Sequence, residues 1–200
     1  MQRASTLGLG DRVRTRLAEL PGGIADLGPA EVIWASMSLH HVGDEEAALG
    51  AMAGALAPDG LVGIAEFAGP MRVLPDGLDV GRPGLADRLD RAGAEWFAAM
   101  RDELRGSAPA ADMPSMLKRA GLEVVVAEDA VARFDPPVAA DARRLAVGHL
   151  LRSRGQLAPY LDADDLAALE VLTDPHDPRS VRHRPDLCVQ ASRQIVIARR

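Results

Sequence analysis

Two hundred residues and 21.2 kDa fit one ordinary domain, and 48% apolar with 26% charged residues supply enough core-forming side chain to exclude wholesale disorder. The net charge of −6 and pI near 5.4 would repel phosphate backbones and anionic lipid, so neither nucleic acid nor a membrane surface is expected as a partner. Met1–Thr6 lacks a signal-type apolar core and the longest apolar runs fall far short of the ~20 residues that span a bilayer, so the chain reads as neither exported nor anchored.

Short apolar runs alternate with helical patterns over the first 66 residues, the rhythm of parallel strands joined by helices. Val13-Arg14-Thr15-Arg16-Leu17-Ala18 starts with apolar-polar alternation and is read as a first strand; Glu31–Ser36 is a short buried one. Asp44 opens a helix in which Ala48, Met52 and Leu56 recur every four residues, and Pro58-Asp59-Gly60 stops it. Leu61–Ala65 follows as the next buried strand. Neither it nor Glu31–Ser36 shows the strict alternation of a half-wet sheet, so both are expected in a sheet covered on its two faces.

From Gly69 to Gly84, four glycines and three prolines predict a long loop of the kind that serves a site. Leu85, Leu89, Ala92, Trp96, Met100 and Leu104 then form an amphipathic helical stripe that should pack on something large. After a loop at 106–111, a short helix around Met113, Met116 and Leu117 ends at Gly121, before a strand over Leu122–Ala127. Asp141–Arg154 reads as a half-exposed helix, and Asp162 caps another bearing Leu166, Leu169 and Leu172. A basic loop over 174–186 leads to Cys188, a lone cysteine without a disulfide partner, read as a buried inert thiol in a reducing, cytoplasmic setting. Leu187–Ala198 is one long or bent strand. Lys118 is the single lysine among 23 basic residues, a usage that suggests a GC-rich bacterial genome.

Ser36-Met37-Ser38-Leu39-His40-His41-Val42-Gly43-Asp44, followed by Leu56-Ala57-Pro58-Asp59-Gly60 before a buried strand, resembles the class I S-adenosylmethionine-dependent methyltransferases. Ala120-Gly121-Leu122 and Leu7-Gly8-Leu9-Gly10-Asp11-Arg12-Val13 extend the resemblance over nearly the whole chain, from the family's second helix through its seventh strand. It implies an α/β fold with a Rossmann-like, mostly parallel sheet and helices on both faces, incomplete at the N-terminus. It also implies methyl transfer from S-adenosylmethionine to a small-molecule acceptor, within a single, N-terminally truncated domain over 1–200. Residues 69–112 then form a substrate-side insert between the fifth and sixth strands. In the family's strand order the strands at Val32 and Leu61 are parallel neighbours, and that at Ile195 is antiparallel.

The resemblance also implies what is missing. The family holds its cofactor through a first strand with a Gly-x-Gly-x-Gly turn and an acidic residue ending the second strand, and this sequence has neither, since Gly8-Leu9-Gly10 lies too near the N-terminus. Weak binding of S-adenosylmethionine is therefore expected, and an open edge on the strand at Val32 that invites self-association. Of the cofactor contacts that carry over, Glu19 and Leu20 stand where the family accepts from the adenine amino group. Ala35 and Ser36 end the fourth strand, beside the transferred methyl.

His40 and His41 are the candidate catalytic residues: an imidazole titrating near pH 6.5 can take a proton from a hydroxyl or amine acceptor. The alternative stands beside it, in which one imidazole packs on the helix begun by Asp44 and the other borders the cofactor cavity. No metal site is expected, because only Asp44 and Glu45 lie close by. Glu45 and Glu46 exclude the acyl-transfer signature His-His-x-x-x-Asp-Gly, and no Gly-x-Ser-x-Gly turn supports a hydrolase. Trp96, Phe97 and Met100 are either core or an acceptor pocket; Arg179, Arg182, His183, Arg184 and Arg193 are read as surface charges balanced by Asp174, Asp177 and Asp186. A second functional class stays open: a non-catalytic remnant or partner-binding subunit that keeps the fold's second half.

Overall fold

A computed structural model describes residues 2–75, 77–104 and 112–200. In chain order the elements are α1 (Gln2–Thr6), β1 (Ala30–Ser36), α2 (Glu45–Ala55), β2 (Leu56–Phe67), α3 (Leu85–Glu103), α4 (Met113–Arg119), β3 (Glu123–Phe134), α5 (Ala140–Gln156), α6 (Ala163–Thr173) and β4 (Val189–Arg199). The strands form one sheet in the order β1-β2-β4-β3. β1 and β2 are parallel, with Val32 opposite Leu61, while β4 runs antiparallel to both β2 and β3. No helix among the described residues is long and apolar enough to cross a membrane.

Local chemistry sets the helix starts. The Asp44 carboxylate accepts from the Ala47 N–H at 2.8 Å, Asp112 from Ser115 at 3.1 Å and Asp162 from Asp165 at 3.0 Å, each satisfying a donor that a helix N-terminus leaves open. Between α2 and the paired part of β2 the chain turns at Asp59, whose φ of 60° lies in the left-handed region. Gly60 follows because a Cβ there would come within 2.9 Å of the carbonyl oxygens of Ala30 and Ala57.

Two apolar cores result. In the first, Ala48, Leu49 and Met52 of α2 and Met116 and Leu117 of α4 pack on Val62 and Ile64 of β2 and on Val196 and Ala198 of β4. The second gathers Ala146 and Leu150 of α5, Leu169 and Leu172 of α6, Leu187, and Val189. β4 joins them, with its start in the second core and its end in the first.

The α/β class, the parallel Val32–Leu61 pair and the antiparallel strand at Ile195 are as the sequence implies. Three details differ. Residues 13–19 form no strand, and Val13 is exposed: the alternation at its start is carried by arginines that find solvent on both sides. β1 is covered on one face only: Ile33 and Ala35 meet the first core, whereas Val32 and Trp34 on the other face are 63% and 59% exposed, the Trp34 ring lying over Gly63. Cys188 is half-buried, its Sγ 3.8 Å from Asp135 Oδ1. The loop read at 106–111 lies outside the described residues.

Asp165 of α6 is buried, its side chain only 2% exposed, and Arg88 of α3 binds both of its oxygens at 2.7 Å. The guanidinium holds this carboxyl below the usual aspartate range. The stability so gained is therefore complete above about pH 4 and lost as pH falls through the lowered value. Arg88→Met leaves the buried carboxylate with only Arg82, 3.4 Å from Oδ1, and should cost about 3 kcal/mol in urea unfolding at pH 7.

Candidate functional site

At the end of β1 the chain reverses through Met37, a non-glycine residue at φ 52°, whose N–H donates to Ala65 at 2.8 Å. Conformations of this kind cost free energy and gather at functional sites. The 3-10 turn Leu39–His41 follows, anchored by Leu39, which is buried in the first core.

Glu66, near the end of the parallel neighbour β2, organises this turn. Its Oε1 accepts from the backbone N–H groups of Ser38 and Leu39, both at 2.9 Å, and its Oε2 lies 2.6 Å from His40 Nδ1. Both side chains are nearly buried, at 12% and 13% exposed. With a carboxylate as partner, Nδ1 carries the proton and Nε2 is left as an acceptor, which is the oriented form of a general base. From the other side, Arg101 of α3 donates to the His40 carbonyl at 3.0 Å and the Val42 carbonyl at 3.1 Å, and pairs with Glu45 at 3.1 Å.

Around His40 stand His41, Phe67 and Phe97, with ring centroids 4.2, 5.1 and 5.7 Å away. Burial pushes the His41 imidazole down from its ordinary value, and the neighbouring His40 adds to this. Burial pushes Glu45 up, against the pull of Arg101.

These rings open onto a cavity of about 810 Å³ between the turn after β1, the end of β2, β4, α3 and α5, within the size range of small-molecule sites. Its apolar wall includes Leu74, Leu89, Trp96 and Phe97, and its polar groups include Arg72, Asp90, His149, Arg152 and Arg193. Gly93 and Ala94 keep the facing turn of α3 thin. Thus the α3 stripe, open in sequence between core and pocket, divides: Leu85 and Ala92 are buried, whereas Leu89 and Trp96 line the cavity.

The sequence-derived site residues fall in different places. His40 and His41 meet in the cavity wall. Ala35 is buried in the first core and Ser36 is exposed at the carboxyl end of β1, and it is the next residue, Met37, that lines the cavity. Glu19 and Leu20 lie in the irregular stretch before Pro21, where the Glu19 side chain is exposed and its carbonyl accepts from Gly23 N–H; neither lines the cavity.

A cofactor with a ribose and an amino-acid tail requires a carboxylate and a backbone cradle. The one acid in the cavity wall, Asp90, is paired with Arg72 at 2.9 Å. The described residues of the cavity wall therefore do not fit such a cofactor. Among them there is also no group of three metal-ligating side chains.

Sequence reasoning missed Glu66, Arg101, His149 and Arg152. Glu66 carries a visible signal, being an acid at the carboxyl end of an otherwise apolar buried run. The other three sit on helices whose faces only the packing defines.

No family model matches the chain, and no curated protein does. Solved structures similar to it include the [4+2]-cyclase SpnF (18% identity, TM-score 0.43, covering all of this chain and 60% of SpnF). The cyclopropane synthase MmaA2 from Mycobacterium tuberculosis is similar at 14% identity and TM-score 0.38, over 98% of this chain and 66% of that one. Phosphoethanolamine N-methyltransferase 2 from Haemonchus contortus, in complex with S-adenosyl-L-methionine, is similar at 13% identity and TM-score 0.32, over 85% and 33%. The chain thus spans less than two thirds of the length of SpnF and MmaA2, and one third of the N-methyltransferase.

His149, half-way along α5, supplies a pH-dependence. Burial, with Arg152 next in effect, holds its imidazole below the ordinary value. A depressed folded-state value means that stability is full above about pH 6.5 and lost as pH falls, because the unfolded chain protonates first. The unfolding free energy should therefore decline between pH 7 and 5, and decline less in His149→Gln, as read by urea titration at each pH.

Proposed function

We propose that this chain supplies the acceptor pocket and the general base of an S-adenosylmethionine-dependent methyl transfer to a small molecule. The observation that carries this reading is the His40–Glu66 pair, held at the carboxyl ends of two parallel strands and opening into the cavity, where ligands of α/β sheets bind. Glu66 orients the imidazole, Arg101 fixes the turn that carries it, and His40 Nε2 receives the proton of the acceptor hydroxyl or amine as that atom becomes a nucleophile. Trp96 and Phe97 exclude water from the apolar body of the acceptor. The cavity wall offers the donor's ribose no unpaired carboxylate among the described residues, so donor affinity of this 200-residue chain is expected to be weaker than micromolar by calorimetry.

Transfer is read as tritium passing from S-[methyl-³H]adenosylmethionine, at millimolar concentration, into extractable small molecules. His40→Gln should lower it by a factor of about 10²–10³, and Glu66→Gln by less, since an amide still accepts the two backbone N–H bonds. Label transfer that ignores His40 would remove the base from the mechanism.

A second reading has its own observation: β1 is hydrogen-bonded on one edge only, among the described residues, beside the exposed Val32 and Trp34. Such an edge recruits strands, as a non-catalytic, partner-binding chain would require. Light scattering after size exclusion should show self-association that rises with concentration and is suppressed by Val32→Lys. A clean monomer at all concentrations counts against this second reading.

A further inference from the structure

Resting on the acceptor-pocket reading, we infer that the acceptor is an apolar-bodied anion, whose charged group is received between Arg193 and Arg152. The chain carries a net charge of −6, yet the cavity wall has the opposite sign. Of its three arginines, Arg72 is neutralised by Asp90 at 2.9 Å. Arg193 and Arg152 have no carboxylate partner among the described residues. This sets them apart from Arg88, Arg119, Arg179 and Arg184, all of which are paired.

Arg193 is the more telling of the two. It stands opposite Phe67 in the β2–β4 register, and its guanidinium lies 5.2 Å from the centroid of that ring. Its one hydrogen bond, at 2.8 Å, goes to the carbonyl of Ser192, the preceding residue. A half-buried guanidinium stacked on an aromatic face is preorganised and still has donors to offer, which suits planar recognition of an anion. The sequence grouped this arginine with the basic loop, where Arg179 and Arg184 are paired with aspartates; Arg193 lies instead on β4 in the cavity wall and has no such partner among the described residues. Arg152 approaches from α5, one turn from His149, and burial keeps that imidazole neutral, so His149 offers polarity without charge.

Phe67 also sets the spacing. The same ring lies 5.1 Å from the His40 imidazole, so the guanidinium and the imidazole, both against one ring, are no more than about 10 Å apart. Leu74, Leu89 and Trp96 then receive the uncharged remainder. A carboxylate and a phosphate ester both present this chemistry, and the two are separated experimentally.

Trp34→Phe leaves Trp96, in the cavity wall, as the single tryptophan, so its fluorescence reports occupancy without any methyl donor. Four non-fluorescent probes share one apolar body: 4-cyclohexylbutanoate, 4-cyclohexylbutyl phosphate, 4-cyclohexylbutanol and 4-cyclohexylbutylamine. At least one of the two anions should shift Trp96 at about ten-fold lower concentration than the alcohol, with the amine weakest, and the tighter anion identifies the headgroup. Arg193→Gln, or the solvent-facing Arg152→Gln, should remove most of that advantage while leaving the alcohol unchanged. Equal binding of alcohol and anions, or an anion preference indifferent to both substitutions, overturns the inference. Because no methyl donor is present, loss of the methyl-transfer reading would leave the anion preference standing, and loss of the preference would leave His40-dependent transfer standing.

Discussion

One carboxylate holds the candidate site together. Glu66 takes two backbone N–H groups and one imidazole, and in doing so joins the end of β2 to the turn that follows β1. Hydrogen bonds to an ionised acceptor are the strong ones. Without this acceptor the part-buried N–H of Leu39 would be left unpaired, at a cost of about 1–3 kcal/mol. The parallel register of Val32 with Leu61 brings Glu66 to that position. A one-residue slip would place its carboxylate on the opposite face.

The second constraint is the division of the molecule into two cores with a cavity between them. α2 and α4 close the first core against one face of the sheet, and α5 and α6 close the second around the start of β4. α3 belongs fully to neither. It is fastened at one end by Arg88 on Asp165 and near the other by Arg101 on the turn bearing His40, so it spans the gap as a wall. This explains how an amphipathic helix of 19 residues can have so few fully buried side chains: its apolar stripe faces a space of ligand size.

Charge placement follows the same division. Several exposed arginines pair with aspartates close in sequence, as in Arg179 with Asp177 and Arg133 with Asp135, and such pairs add little to stability. Where an arginine is enclosed, it is either spent on structure, as Arg88 and Arg101 are, or left with donors toward the cavity, as Arg193 is. The contrast between these groups gives the cavity its sign within an acidic protein.

Much of this was legible in the residues alone. Asp44 and Asp162 mark helix starts because a carboxylate there meets open N–H groups, and Pro58-Asp59-Gly60 and Gly121 mark stops because their backbone conformations suit few other residues. Those signals are local, so chain order and the nearness of His40 to His41 needed nothing further. Pairing was not local. Val13 has the alternation of a strand and finds no partner, whereas Val32 has one partner and an open edge. Glu66, Arg101 and Arg193 come from three elements distant in sequence. Only their convergence gives His40 its orientation and the cavity its charge, because a hydrogen bond and an electrostatic field depend on distances that the order of residues does not contain.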